Sequence, residues 1–413
     1  MSNKSLLPLI AAALLGCVLP SAAQQKPGQN FPEGLGKETV VAVCGGCHDI
    51  NRLTAGYTPE GWLTVTNMMR NFGAPVPDDQ WETVRAYLIR SFPEKPRPPA
   101  VLLPGTTEVN IMEWPLPTPG SRPHDPMAAR DGSIWWSGQL ANKLGRLDPK
   151  TGKFKEYPVN PMSAPHGLVE DKDGNVWFTG NFRGFIGKLD TKTGEIKEYP
   201  LPDPKARDPH TLVIDHNGVV WFSVQNGNFV GRLDPKTGNI KLATPPTPNS
   251  RPYGMAVDSK NVVYFVEFGA PKIATIDDNM HIQEYQLLNS GARPRRIAIT
   301  PDDKVWYTDF ARGYLGFLDP VTGQVKEWQS PSGPKSMPYG IAATKGGIWY
   351  NESAAKPNTI VRFDPKAEKF QSWPIPGGGD IVRNMTVDRD GNPVLSNSLE
   401  NEVGLVEVKN ATN

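Results

Sequence analysis

The sequence predicts a small all-α unit followed by an all-β, seven-bladed β-propeller, and three observations predict it. From residue 124 onward one phrase recurs seven times at near-constant spacing, and each copy holds four short strand-like runs. The last copy lacks its fourth run, while a spare run, Val109 to Pro115, stands before the first copy. Ahead of the repeats, residues 36–92 carry apolar stripes at helical spacing instead. Composition agrees: 40 Gly, 42 Pro and 38% hydrophobic residues in a chain of 413 suit short strands joined by turns, with length enough for two domains. A formal net charge of +1 with interspersed signs points away from nucleic acid or a membrane surface as partner.

In chain order, residues 1–23 read as a secretory signal peptide. Lys4 precedes the apolar run Leu6 to Leu19, and Ser21-Ala22-Ala23 offers a small-residue cleavage site. A lipoprotein reading through Cys17 is weaker, because Val18 and Leu19 continue the apolar run. No later stretch is apolar enough to span a bilayer.

Cys44-Gly45-Gly46-Cys47-His48 is the sharpest motif. Two thiols about one helical turn apart can add to both vinyl groups on one porphyrin edge, and the histidine that follows lies where an axial ligand is needed. A redox Cys-x-x-Cys would need a thioredoxin-like βαβ context, and a zinc site would need a second pair of ligands. Neither is present, since Cys17 is the only other cysteine. One covalent haem c is expected, attached through Cys44 and Cys47 with His48 as axial ligand. Because such attachment occurs outside the cytoplasmic membrane in bacteria, the expected compartment is the periplasm.

Around the motif, Glu38 to Val43 reads as a short helix. Pro59 opens a second helix with Val65, Met68, Met69 and Phe72 at helical spacing. Asp78-Asp79 are placed to cap a third, striped by Trp81, Val84, Tyr87 and Leu88. Three helices around one haem resemble a minimal class I cytochrome c. Trp62, Met69 and Gly73 resemble the pattern of cytochrome modules joined to periplasmic dehydrogenases. The resemblance implies a cytochrome c domain at 36–92 with Met69 as second axial ligand, Met68 being the alternative. Residues 93–106, with Pro93, Pro96, Pro98, Pro99 and Pro104, read as a semi-rigid linker.

In the repeats, the residues after the blade-opening proline are His124, His166, His210, Tyr253, Arg295, Tyr339 and, less cleanly, Arg383, spaced by 42, 44, 43, 42, 44 and 44. Four strands per unit of this period predict propeller blades over 107–408. The spare run Val109 to Pro115 would complete blade seven. These anchors open the innermost strands and so ring one mouth of the central channel. A second ring, fourteen residues on, reads Gly138, Gly180, Val224, Glu267, Asp309, Glu352 (after one deletion) and Asn397, and is expected beside the anchors. Arg122, Arg251 and Arg293 fall just before anchors. His216 and His281 fall in turns and are expected to be solvated.

The blade phrase Pro-His-Gly, Asp-Gly-x-Val-Trp-Phe-Thr, Ile-Gly-x-Leu-Asp, Glu-Tyr-Pro-Leu resembles the streptogramin B (virginiamycin B) lyase family. That family consists of seven-bladed propellers that linearise cyclic depsipeptides by Mg2+-assisted elimination. The resemblance implies a catalytic histidine after Glu-Pro, a glutamate fourteen residues on, and another histidine one blade earlier. Asp208-Pro209-His210 with His166 is the nearest match, but Val224 stands at the glutamate position and cannot ligate a hard Mg2+ ion.

Three functional readings follow. A periplasmic cytochrome would transfer electrons through haem, with the propeller binding a small-molecule substrate or a redox partner. A lyase would carry haem as an accessory. A scaffold would present the cytochrome without chemistry of its own. The first is preferred, because elimination needs no electron acceptor. At the mouth, His124, His166 and His210 are expected either to hold a borderline transition metal or to act as acid and base near neutral pH. Asp208, Glu267, Asp309 and Glu352 would supply carboxylates, Arg295 and Arg383 would orient an anion, and Tyr339 completes the candidate set.

Overall fold

Seven four-stranded antiparallel sheets make up the repeat region of the computed structural model, which describes residues 28–409. The predicted leader, with Cys17, lies outside the described residues. In six sheets the strands pair in chain order. The seventh runs Val109–Pro115, Glu402–Val408, Pro393–Asn397, Val382–Val387, so the spare N-terminal strand closes the ring as predicted. Val109 faces Val408 and Pro115 faces Glu402 in unbroken register.

The blade phrase has a physical reason at each position. Asp171 and Asp215, in the turns after the inner strands, accept from the indole Nε1 of Trp177 and Trp221 at 3.0 and 2.9 Å. The turn is thereby locked to the strand that follows it. The glycine of the Ile-Gly-Lys-Leu strand lies under the aromatic ring of its neighbour: a Cβ on Gly231 would run into Phe222, and one on Gly316 into Tyr307. Trp136, Trp177, Trp221 and Trp349, with Phe178, Phe222 and Phe265, are among the largest fully buried side chains and fill the spaces within and between blades.

One local feature builds the channel. In every blade the inner strand carries a two-against-one bulge: Pro123 faces Gly138 and Pro126 faces Trp136, leaving His124 and Asp125 opposite Ser137 alone. The same shift recurs in the other six blades. Such a bulge breaks the strand alternation and re-aims side chains. The hydroxyl opposite the bulge then stitches blades together. Ser137 Oγ accepts from the Asp125 N–H (3.0 Å) and donates to the His166 carbonyl (2.6 Å). Thr179, Ser223 and Thr308 repeat this between later blades, and Ser396 donates to the His124 carbonyl at 2.9 Å to close the circle.

Ahead of the ring, α1 (Lys37–Thr39) runs into a π-helical turn, Val40–Cys44. A 3-10 turn, Ile50–Ala55, α2 (Pro59–Asn71) and α3 (Trp81–Ser91) follow. Thr58 caps α2 by accepting from the Gly61 N–H at 3.0 Å, with Pro59 in the first turn, where its missing N–H costs nothing. The predicted cap of α3 by Asp78-Asp79 is corrected. These residues form a 3-10 turn without a side-chain cap, and Asp78 pairs with Arg70 instead. Trp62, Trp81, Val84, Tyr87 and Leu88 share one core, and Trp62 Nε1 donates to the Phe92 carbonyl at 2.7 Å. Among the described residues no helix is long and apolar enough to cross a membrane.

The helices dock on the ring. Asn71 Nδ2 donates to the Pro119 carbonyl at 2.7 Å, Phe72 meets Phe182 edge-on at 5.3 Å, and Met68 packs against Leu140 and Leu399. Leu140, Phe182 and Leu399 closely follow second strands that end at Gly138, Gly180 and Asn397. The helices therefore cover the end of the ring where the anchors lie. The predicted linker is strapped along blade six: Ser372 and Ser332 bond the backbone of Val101 and Leu103, and Pro99 bridges Lys356. Arg97 closes the strap with a two-pronged ion pair to Asp380 of blade seven at 2.7 and 3.0 Å.

Candidate functional site

The bulges send two consecutive residues of each inner strand toward the channel. The first set is the anchors. The second is Asp125, Gly167, Thr211, Gly254, Arg296, Gly340 and Asn384. Sequence reasoning missed the second set. Its signal was present, because the glycine of Pro-His-Gly gives way to a polar residue in four blades.

The predicted histidine cluster forms. His124, His166 and His210 are 3–4% exposed. Their ring centres lie 3.5 Å apart (His124 to His166) and 3.8 Å apart (His166 to His210), and Tyr253 extends the stack at 3.9 Å. Burial, reinforced by Arg296 and Arg383, holds all three well below the ordinary histidine value, and the His166 imidazole adds to this for His124 and His210. Each shift favours the neutral imidazole.

Asp125 is the hub of the channel. Its Oδ1 lies 2.8 Å from His124 Nδ1 and accepts from Arg296 Nη2 at 2.8 Å, while its Oδ2 accepts from Asn384 Nδ2 at 3.0 Å. Arg296 also donates to Thr211 Oγ1 (3.0 Å) and to the Arg383 carbonyl (3.1 Å). One ion pair thus ties blades one, three, five and seven across the channel. Burial raises the Asp125 carboxyl, opposed by Arg296. His124, Asp125 and His166 bring three metal-capable donor atoms within 4.8 Å of one another.

Beside the histidines lies an aromatic and cationic half. The hydroxyls of Tyr253 and Tyr339 meet at 2.6 Å. The Arg295 guanidinium sits 3.7 Å from the Tyr339 ring centre and 4.1 Å from that of Phe310. Burial acts to raise the Tyr339 phenol, yet Arg295, Arg383 and Arg296 hold it below the usual tyrosine value. Burial and the neighbouring Arg383 push the Arg122 guanidinium down to about 9. On the helical side, burial and then the Asp380 charge push the Tyr57 phenol up, opposed by Arg122, Arg383 and Arg97.

The predicted second ring is corrected. The residue fourteen places after an anchor faces the preceding proline, not the anchor: Pro252 pairs with Glu267 and Pro294 with Asp309, and Pro338 pairs with Glu352 in the blade with the deletion. The bulge absorbs the difference, so these acids lie inside their own blades. Asp309 is held by Arg312, and Glu352 by Ser330, Ser332 and Thr359. Glu267 is fully buried without a hydrogen-bond partner. Burial, then the Glu284 charge, push its carboxyl up to about 8. Asp208, expected beside His210, accepts from the N–H groups of Asn226 and Gly227 and from Asn226 Nδ2. Its oxygens are engaged by that loop. Val224 is buried opposite Pro209. His216 and His281 are exposed, as expected.

On the helical side, Cys44 is partly buried against the core, Cys47 is exposed and His48 half-buried. Burial, then Cys47, push the Cys44 thiol up, the opposite of a nucleophilic cysteine. His48 Nδ1 lies 3.2 Å from the Asp49 carbonyl, which leaves Nε2 free. Met69 packs with Val41, Val43, Cys44 and Val65 around the helical core.

Comparison with known proteins follows the propeller. No curated protein matches the chain. A solved streptogramin B lyase is similar at 28% identity, TM-score 0.67, covering 73% of this chain and 98% of its own. Virginiamycin B lyase from Staphylococcus aureus is similar at 25% identity, TM-score 0.67, over 73% of this chain and all of its own. Hydrazine synthase from Kuenenia stuttgartiensis, at 13% identity and TM-score 0.58, covers 71% of this chain and 97% of its own and shares the fold alone. The model of the virginiamycin B lyase family matches residues 105–331. With its seven closed blades and its Pro-His anchors, the chain belongs to the virginiamycin B lyase family.

Proposed function

We propose that this chain is a periplasmic c-type haem electron-transfer protein, its helices forming a cytochrome c domain and its propeller mouth binding the substrate or redox partner. The observation that carries this reading is the placement of α2. Met69 is partly buried against the helical core that Cys44 also borders, and with its neighbour Met68 it reaches the cluster that includes propeller residues Leu140 and Leu399. Adjacent residues point about 100° apart on a helix, so one helix serves both surfaces.

The donors present fit haem c. Cys44 and Cys47 are free thiols at the required spacing. The bond from His48 Nδ1 to a carbonyl orients the ring for ligation through Nε2. Val41, Val43, Val65, Met69 and Ala74 remain only partly covered around the helical core and supply an apolar surface for a porphyrin. Bound there, haem supplies one-electron transfer at its iron. Cys44 and Cys47 would tether it, and His48 and Met69 would hold the axial positions. The docked helices shield the mouth from bulk water.

Family membership favours a lyase as a second reading, but the residues do not fit its Mg2+ ion. The carboxylate of the matching motif, Asp208, is engaged by backbone donors, and Val224 offers no oxygen. No elimination step is derived.

Met69→Ala should abolish the weak near-infrared sulfur-to-iron band and lower the haem reduction potential, with Met68→Ala keeping the band. Loss of the band in Met68→Ala alone would reverse the ligand assignment. A band unchanged in both variants would remove methionine from the iron.

A further inference from the structure

Four guanidinium groups meet at the mouth: Arg122, Arg295, Arg296 and Arg383. Among the described residues Asp125 is the only carboxylate bonded to any of them, and it pairs with Arg296. Arg383 donates to a neutral hydroxyl, Ser398 Oγ at 3.0 Å. Arg295 is clamped between Tyr339 and Phe310, and its buried Nε has no acceptor. The histidines alongside favour the neutral form, and His166 Nδ1, on a side chain only 3% exposed, is also without a partner. Buried charge is ordinarily paired, and an unpaired buried donor costs roughly 1–3 kcal/mol. The depressed Tyr339 phenol reports the same excess of positive charge.

We infer that the mouth is an anion site, in which Arg122, Arg295 and Arg383 receive the carboxylate of a small organic acid beneath the roof made by Tyr57 and α2. A guanidinium fork matches a carboxylate edge with two parallel hydrogen bonds. The rings of Phe268, Phe310 and Tyr339 around Arg295 keep that fork in place and give the organic part of the ligand an apolar wall. A divalent metal on His124, Asp125 and His166 is the competing occupant. It would bind a carboxylate already paired with the Arg296 guanidinium and would place a second cation beside it. The charge of the mouth therefore selects an anion. This inference rests on the mouth being the binding face and does not require haem.

The test is calorimetric titration of the full-length protein at neutral pH and low salt with succinate, its neutral diamide and inorganic phosphate. Succinate should bind and the diamide should not. Arg295→Gln and Arg383→Gln should each weaken succinate at least tenfold, whereas Arg389→Gln, in an exposed turn of blade seven, should leave it unchanged. If Arg295→Gln fails to fold, Arg383→Lys, which keeps the charge and loses the fork, should give an intermediate loss. Absence of binding by both anions, equal binding of the diamide, or unchanged affinity in the arginine variants would overturn the site. Tighter binding of phosphate than of succinate would overturn the organic-acid assignment. Because haem is read by its own spectrum, failure here and failure of the electron-transfer reading are told apart.

Discussion

Glu267→Gln should stabilise the protein by about 2–4 kcal/mol near pH 9 and by almost nothing near pH 4. The carboxyl is fully buried and unpartnered, and burial with the Glu284 charge raises it from 4.5 to about 8. Between those values the folded protein keeps a proton that the unfolded chain has lost, so stability falls as pH rises through the window. Below about 4.5 both states are protonated and the cost vanishes. Each pKa unit corresponds to about 1.4 kcal/mol, so a rise from 4.5 to about 8 sets an upper bound of about 5 kcal/mol, and the figure given lies below it. Glutamine keeps the shape and removes the charge, so its advantage should appear above pH 5 and level off above pH 8. Urea denaturation across that range measures it. A destabilised variant at pH 9, or an effect independent of pH, would mean that Glu267 has a cationic partner after all.

Asp125→Ala should cost about 3–5 kcal/mol, because it leaves the Arg296 guanidinium buried without its counter-charge. The loss should be larger than removal of a single hydrogen bond, since four blades meet at this pair. The double variant Asp125→Ala/Arg296→Met should recover at least half of the loss, as replacing both partners removes the uncompensated charge. Denaturation midpoints of the two proteins decide it. A single variant costing under about 1 kcal/mol, or a double variant no better than the single one, would show that the pair is not the cross-channel tie described above.

The ring itself was legible because each blade repeats the same solution to the same packing problem. The glycine under Phe222, the aspartate that holds Trp221 and the Pro-His turn all recur at fixed offsets, and the spare strand before His124 announced closure. The histidine cluster was legible for the same reason. Asp125 and Arg296 were not, because a strand read with strict alternation sends residue 125 away from the channel. Only the bulge, absent from any simple period, turns it inward. That bulge also moved Glu267, Asp309 and Glu352 off the mouth. The cover formed by α2 and the strap at 93–106 arises from long-range contacts such as Arg97 with Asp380, 283 positions apart, for which local spacing carries no signal.

Covalent attachment of haem tests the electron-transfer reading most directly. The protein, produced with a c-type maturation system, is extracted with acid acetone and its pyridine haemochrome spectrum recorded on the protein that remains. The intact chain should keep the haem with the protein and show the α-band of a thioether-linked haem, and Cys44→Ala/Cys47→Ala should lose both. Haem that passes wholly into the acetone from the intact chain, or its absence from protein with Cys44, Cys47 and His48 in place, would contradict a cytochrome domain and leave the propeller alone to define what this protein does.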